Sequence, residues 1–291
     1  MPHLKVCLSC QHRFSSDSWR CPACQFEPKR DGFVQFAPAL SESNDGFEAV
    51  SFEYLARLEP TSFWFRSRNR LVVQLLQTHF PTASTLLEIG CGTGYVLSSI
   101  AAAFPRLRVT GAELYTAGLR FAADRLPGAT LYQMDCRRMP FDCEFDVVCA
   151  FDVLEHVEED GLALEQMRLT VKPGGGVLIS VPQHPSLWSA SDDFAHHKRR
   201  YRRRELIRKL TYAGLEVVQI TSFVSSLLPL LVASRAIRRM ARSYDCEAEY
   251  RMPRVLDRTF ELLLDGERRL IGAGVSVPAG GSLFAVARRR L

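Results

Sequence analysis

Two clusters of residues in this 291-residue chain have the types and spacing to do chemistry. The first is Cys7, Cys10, Cys21 and Cys24, two C-x2-C pairs separated by ten residues. Each pair can fold as a knuckle offering two thiolates, and two knuckles close a tetrahedral sulfur cage that suits zinc. Protein then fills all four positions and leaves none for a reactive water, so the expected metal is structural. It would supply the stability that so short a segment cannot draw from buried apolar area. The second cluster is "TLLEIGCGTG", in which Glu88 stands two residues before a turn built from Gly90, Cys91, Gly92, Thr93 and Gly94. An apolar run, a glycine turn and the helical stretch "YVLSSIAAAF" form a unit in which backbone approaches a nucleotide closely. The spacing is G-x-G-x-G and not the G-x-G-x-x-G of dinucleotide sites, which weakens a nicotinamide reading.

These residues need a sheet to hold them. "RLRVTGAELY" reads as a strand ending at Glu113, where a carboxylate can accept both hydroxyls of a ribose, a role that suits either kind of nucleotide. "ATLYQMD" ends at Asp135, "FDVVCAFDVLEHV" ends near Phe151 and Asp152, and "LTVKPGGGVLISVP" supplies a helix end, a glycine turn and a fifth strand. Strand and helix alternate, so the expected fold is α/β with a parallel sheet. Ligands of such sheets sit beyond the carboxyl ends of the strands, which places the acids in one crevice.

Together "LLEIGCGTG", "GAELY", "MDCRRMPF", "FDVVCAFDVLEHV" and "LTVKPGGGVLISVP" cover about residues 84 to 182, in family order. They resemble the class I S-adenosylmethionine-dependent methyltransferases, particularly the bacterial group that includes the ubiquinone-type enzymes. The resemblance implies a Rossmann-like, seven-stranded methyltransferase sheet with helices on both faces. It implies that Glu88 and the turn Gly90, Cys91, Gly92 and Gly94 hold the methionine portion of the cofactor. Glu113, followed by Leu114, would hold the ribose, Asp135 and Cys136 the adenine edge, with Phe151 beside the cofactor. S-adenosylmethionine has no phosphate to place on the helix N-terminus, in keeping with the turn.

After the fifth strand, "AGLEVVQITSF" and "SLFAVARRR" read as the sixth and seventh strands, far apart in the chain. The expected organisation is a zinc ribbon over residues 1–38, a helical lid or linker over 39–83, a methyltransferase domain over 84–223 and 282–291, and a helical insertion over 224–281. The insertion opens with "VSSLLPLLVASRAIRRM", too short an apolar run to span a bilayer. It suits either a membrane interface or, preferably, the wall of a substrate pocket. Phe63, Trp64, Phe65 and Arg66 are candidates for a lid over the cofactor. His197, Arg200 and Tyr201 lie in the loop after the fifth strand, where related enzymes form the substrate edge. Arg200 could pair a carboxylate or phosphate bidentately, which suggests an anionic acceptor. His156 and His184 follow the fourth and fifth strands, where an acceptor proton could be taken.

Composition sets the bounds. The chain is 47% hydrophobic and 24% charged, which suits one large core with appendages. A formal charge of +5 comes largely from local blocks, chiefly "HHKRRYRRRELIRKL", so a locally anionic partner is expected more than a generally nucleic-acid-coated surface. No signal core or eighteen-residue apolar run is present, and nine cysteines without a disulfide pattern suit reduced thiols, so a cytoplasmic protein is expected. The leading reading is methyl transfer to oxygen of a small-molecule or lipid-like acceptor. A ribosomal RNA methyltransferase is the alternative, because the ribbon followed by "RDGFVQFAP" looks like the cysteine-zinc head of the guanine methyltransferases. A ribbon-bearing protein that only senses S-adenosylmethionine is a third reading.

Overall fold

A computed structural model describes residues 4–42, 49–238 and 252–290. Residues 43–48 of the expected lid and 239–251 of the expected insertion lie outside it. The chain opens with a two-stranded antiparallel hairpin, β1 (Leu4–Val6) and β2 (Arg13–Ser15), in which Lys5 faces Phe14. Two knuckles repeat one geometry: Gln11 N–H donates to the Cys7 carbonyl and Gln25 N–H to the Cys21 carbonyl, at 2.9 Å each. The ribbon docks on the main domain through Trp19, whose ring meets Phe36, Tyr132 and Phe141 edge-on at 4.8, 5.5 and 5.7 Å.

Next come β3 (Lys29–Asp31), β4 (Phe33–Gln35), α1 (Pro38–Glu42), α2 (Ala49–Leu58) and α3 (Phe63–His79). The alternating part follows as β5 (Thr85–Ile89), α4 (Tyr95–Ala103), β6 (Arg108–Glu113), α5 (Thr116–Arg125), β7 (Thr130–Gln133) and β8 (Phe145–Phe151). It continues through α6 (Asp160–Thr170), β9 (Val171–Pro182), α7 (Ala190–Phe194), α8 (Arg203–Tyr212) and β10 (Leu215–Phe223). Among the described residues two insertion helices, α9 (Leu228–Arg238) and α10 (Arg254–Gly272), precede the last strand, β11 (Ser282–Arg289).

Among the described residues the main sheet has nine strands, in the order β10-β11-β9-β8-β5-β6-β7-β4-β3. The seven expected strands form its body, with β11 antiparallel between β9 and β10. The two extra strands are a hairpin from "KRDGFVQ", where β4 lies parallel to β7, with Val34 opposite Tyr132. This stretch was assigned to the ribbon in the sequence, because three-residue strands carry too little periodicity to be read alone.

The body of the sheet is buried on both faces, which is why its strands read as unbroken apolar runs. Along β8, Val147, Cys149 and Phe151 enter one core with Leu71, Leu75, Ile100 and Leu264 from α3, α4 and α10. Val148 and Ala150 enter the opposite core with Leu164, Met167, Leu206 and Leu210 from α6 and α8. Parallel pairing in the order β8-β5-β6-β7 brings the carboxyl ends of these four strands side by side along one edge of the sheet. No described helix is long and apolar enough to cross a membrane.

The insertion is fastened to α3. The Arg66 guanidinium binds Glu261 at 2.6 Å and also Asp257, while the Phe63 N–H donates to Asp257 at 2.8 Å. Arg66, grouped with three aromatic lid candidates in the sequence, therefore anchors α10, and Phe63, Trp64 and Phe65 are left to face the crevice.

Candidate functional site

A cleft of about 1070 Å³ opens over the strand ends. Its floor is the glycine turn between β5 and α4. Gly90 has φ +63°, and a Cβ there would meet Val153 Cγ2 at 2.4 Å, so only glycine fits. Gly92 has φ +51°, and a Cβ there would enter open space, so its backbone can be approached closely by a ligand.

Glu113, at the end of β6, orders this turn. Its carboxylate accepts N–H bonds from Gly92 at 3.0 Å, Leu114 at 2.7 Å and Tyr115 at 3.1 Å. Burial pushes its pKa up, and the three backbone donors work against that. Glu88 is 2% exposed and one of its oxygens has no hydrogen-bond partner. Burial raises its pKa to about 8, with Arg68 opposing the shift and Glu59 and Glu113 adding to it. A buried carboxyl so placed is completed by a positively charged ligand.

The raised pKa of Glu88 has a consequence for stability. The folded chain holds this proton more tightly than the unfolded chain, whose carboxyl titrates near 4.5. The stabilising contribution is therefore complete below the unfolded value and is lost as pH rises through the folded value. Thermal melts of the ligand-free protein between about pH 5 and about pH 9 should show a steeper loss of stability for the wild type than for Glu88→Gln. Parallel curves would remove this role.

Of the residues expected at the cofactor, Glu88, Gly90, Cys91, Gly92, Glu113, Leu114, Asp135, Cys136 and Phe151 line the cleft together. Asp135 is gripped by Arg137 at 2.8 Å, and Arg137 reaches on to Glu159 at 2.6 Å. Gly94 does not line it: it begins α4, donates its N–H to the Cys91 carbonyl at 2.8 Å and packs on Ala122.

At the other end of the cleft the loops after β8 and β9 meet. His156 and His197 stack edge to face with ring centroids 4.8 Å apart. Burial pushes the His156 pKa down to about 3, His197 beside it adds to this, and a hydrogen bond to the Ala195 backbone opposes it. His197 Nδ1 lies 2.9 Å from Asp192, which also accepts from Arg200 Nε at 2.7 Å. Burial acts to raise the Asp192 pKa, but these two partners hold it down to about 2. Arg200 lines the cleft, 7% exposed, with its charge met by Asp192 and a further bond to the Gln183 carbonyl. Its expected pairing with an anionic acceptor is thus already occupied from within the chain.

Two expected residues lie elsewhere. Tyr201 is fully buried in the core, its hydroxyl bonded to Asp160 at 2.6 Å and to the Leu154 carbonyl at 3.1 Å. It sits next to Arg200, but the extended backbone there sends consecutive side chains to opposite sides. His184 is not among the cleft residues. It takes φ +62° at the bend after β9, and its Nε2 is buried with no hydrogen-bond partner.

Several cleft residues carried no signal in the sequence. Arg68 forms an ion pair with Asp152 and stacks over Trp64 at 4.6 Å. Glu59 accepts from Thr93 at 2.7 Å and from Arg125 at 2.6 Å, tying the end of α2 to the glycine turn. The insertion segment expected to wall a pocket does contribute to the lining through Leu227, Leu230 and Leu231, joined by Phe260 of α10.

The four ribbon thiols satisfy the geometry of a metal cage. All four Sγ atoms lie within 4.8 Å of one another, with Cys7 and Cys24 at 3.5 Å and Cys10 and Cys21 at 3.7 Å. Tetrahedral ligands at a zinc–sulfur distance of about 2.3 Å are separated by about 3.8 Å, so the residues present fit the ion.

Residues 57–220 match the family model described as a methyltransferase domain. A probable S-adenosylmethionine-dependent methyltransferase of Mycolicibacterium smegmatis is 30% identical over 163 residues, covering 55% of this chain and 62% of the relative. A ubiquinone/menaquinone biosynthesis C-methyltransferase of Syntrophotalea carbinolica is 34% identical over 158 residues, covering 51% of this chain and 65% of the relative. The matched segment is thus less than two thirds of either relative's length. Among solved structures, phosphoethanolamine N-methyltransferase 2 of Haemonchus contortus in complex with S-adenosyl-L-methionine shares the fold. Its TM-score is 0.57 at 17% identity, over 89% of this chain and 61% of that one.

Proposed function

This chain belongs to the methyltransferase-domain family, and from that premise we propose that it transfers the methyl group of S-adenosylmethionine to an oxygen of a small-molecule acceptor. The observation that carries the reading is the convergence of Glu88, Gly92 and Glu113 on one cleft. Gly92 offers bare backbone, Glu88 an incomplete buried carboxyl for a cation, and Glu113 a carboxylate suited to ribose hydroxyls. Bound there, S-adenosylmethionine supplies a methyl group on a positively charged sulfur, open to displacement from the opposite face.

The protein's part is chiefly alignment and exclusion of water. Well-oriented reactants can gain roughly 7 to 11 kcal/mol from placement alone, so no strong base is required. Phe63, Trp64 and Phe65 line the cleft, with Phe63 packed on Phe260 of the insertion at 5.4 Å, and this apolar lining favours an acceptor with an apolar body. His156, with a pKa near 3, is too weak a base to take an acceptor proton at neutral pH and instead presents a fixed neutral ring. Carbon, nitrogen and oxygen are all named as acceptor atoms among the relatives. Oxygen is proposed as the acceptor atom because Glu155, His156 and His197 bring a polar group of side chains into the lining of the cleft, to which an acceptor hydroxyl could bind.

The ribbon thiols are proposed to hold a structural zinc. That site suits a reducing compartment, hence the cytoplasm. RNA as acceptor is less favoured, since much of the basic block is paired internally: Arg199 with Asp160, Arg200 with Asp192, and Lys209 with Asp160. Tritiated methyl transfer into a fractionated metabolite and RNA pool tests the proposal. Label in an alkali-stable small molecule is expected. Label in RNA would move the acceptor to nucleic acid, and no label with intact cofactor binding would leave a sensor.

A further inference from the structure

We infer that Glu155, His156 and His197 form a binding site for a divalent transition-metal ion at the acceptor end of the cleft. Each offers one ligand atom, and those atoms all lie within 4.8 Å of one another. Two imidazoles and one carboxylate in the lining of the cleft are a donor set for Mn²⁺, Fe²⁺, Co²⁺ or Zn²⁺.

The independent observation is Glu155. Its side chain is 1% exposed, and both carboxylate oxygens are buried with no hydrogen-bond partner. A buried carboxylate with neither oxygen satisfied, beside the negative charge of Asp152, is electrostatically incomplete. The nearby cations do not complete it. Arg68 is paired with Asp152 and Arg200 with Asp192.

The two rings are held in the way metal-binding histidines are held. His197 Nδ1 is bonded to the fully buried Asp192, which fixes the ring and leaves Nε2 to bind. The His156 ring is bonded to the Ala195 backbone and still presents a ligand atom to the group. The two loops are themselves joined, the Lys198 N–H donating to the Glu155 carbonyl at 2.6 Å, so the donors from both sides of the cleft keep one arrangement.

Three protein donors leave coordination positions open toward the cleft. An acceptor hydroxyl bound there would lose its proton to water more readily than in solution. That use rests on the methyl-transfer reading, whereas the existence of the site does not.

The test is Mn²⁺ uptake by the full-length protein, followed through loss of the free-ion electron paramagnetic resonance signal. Thiolates are poor ligands for Mn²⁺, so the ribbon does not compete. One Mn²⁺ per chain is expected, with affinity falling about tenfold or more in Glu155→Gln and in His197→Ala. His197 is the less buried, so its variant reports even if the Glu155 change disturbs folding. Thermal melting and calorimetry with S-adenosylmethionine accompany each sample. Absence of saturable uptake by the wild type at millimolar Mn²⁺, or unchanged uptake in folded His197→Ala, would overturn the site. Failure to bind S-adenosylmethionine with Mn²⁺ uptake intact would instead count against the cofactor reading.

Discussion

Glu113→Ala is expected to weaken S-adenosylmethionine binding by about a hundredfold, roughly 2.7 kcal/mol. The carboxylate does two things at once. It offers oxygens to the ribose, and it accepts three backbone N–H bonds that fix the glycine turn against the end of β6. Its removal orphans the donors of Gly92, Leu114 and Tyr115 in a site where Glu113 is 8% exposed, so little water can replace it. Charge-assisted bonds of this kind contribute about 1.5–3 kcal/mol each, and the turn must then be ordered by the ligand itself. Calorimetry measures the affinity, and a lower melting temperature should accompany the loss. Glu113→Gln should fall between the two, because one amide oxygen can still accept while the amide nitrogen faces donors. Unchanged affinity in Glu113→Ala would remove Glu113 from the cofactor site.

The second large effect is expected at the ribbon. Stripping the metal with a strong chelator, or replacing Cys21 by Ser, should unfold residues 4–27 while leaving the sheet folded. The ribbon's own core is Cys7, Phe14 and Cys21 with Phe26 against them, too small to stand unaided. Metal binding in sites of this type contributes about 10–16 kcal/mol, far more than the hairpin can draw from its apolar contacts. Trp19 reports the change, since it is 8% exposed and lies between Phe36, Tyr132 and Phe141. Its release should shift the emission to longer wavelength, and metal analysis of the untreated protein should find at least one zinc per chain. A chain free of zinc whose fluorescence ignores the chelator would refute the metal site. The sheet edge should also soften, because Tyr132 belongs to β7.

Much of this architecture is legible along the chain. Strands buried on both faces must be continuously apolar, and the glycines between β5 and α4 are demanded by local backbone geometry at Gly90. The acid at the end of β6 follows from the same register that places the turn. These are consequences of short stretches, whose side-chain directions are set by the backbone of a few neighbouring residues. The cysteine pairs are equally local, each closing its own knuckle through a single N–H bond from Gln11 or Gln25.

Where the sequence was insufficient, distant segments had to meet. Arg66 was one aromatic-flanked cation among several until α10 brought Asp257 and Glu261 to it. By position in the chain His156 and His184 are equal candidates to take a proton, and His197 and Tyr201 equal candidates for the substrate edge. The structure gathers His156 and His197 with Glu155, leaves His184 outside the cleft lining at a bend of positive φ, and buries Tyr201 on Asp160. Sequence alone determined the nucleotide-type turn, the acidic strand ends and the two cysteine knuckles, because each follows from local backbone constraints. Tertiary structure decided which loop side chains share the cleft, because the direction of a loop residue depends on the packing of elements far away in the chain.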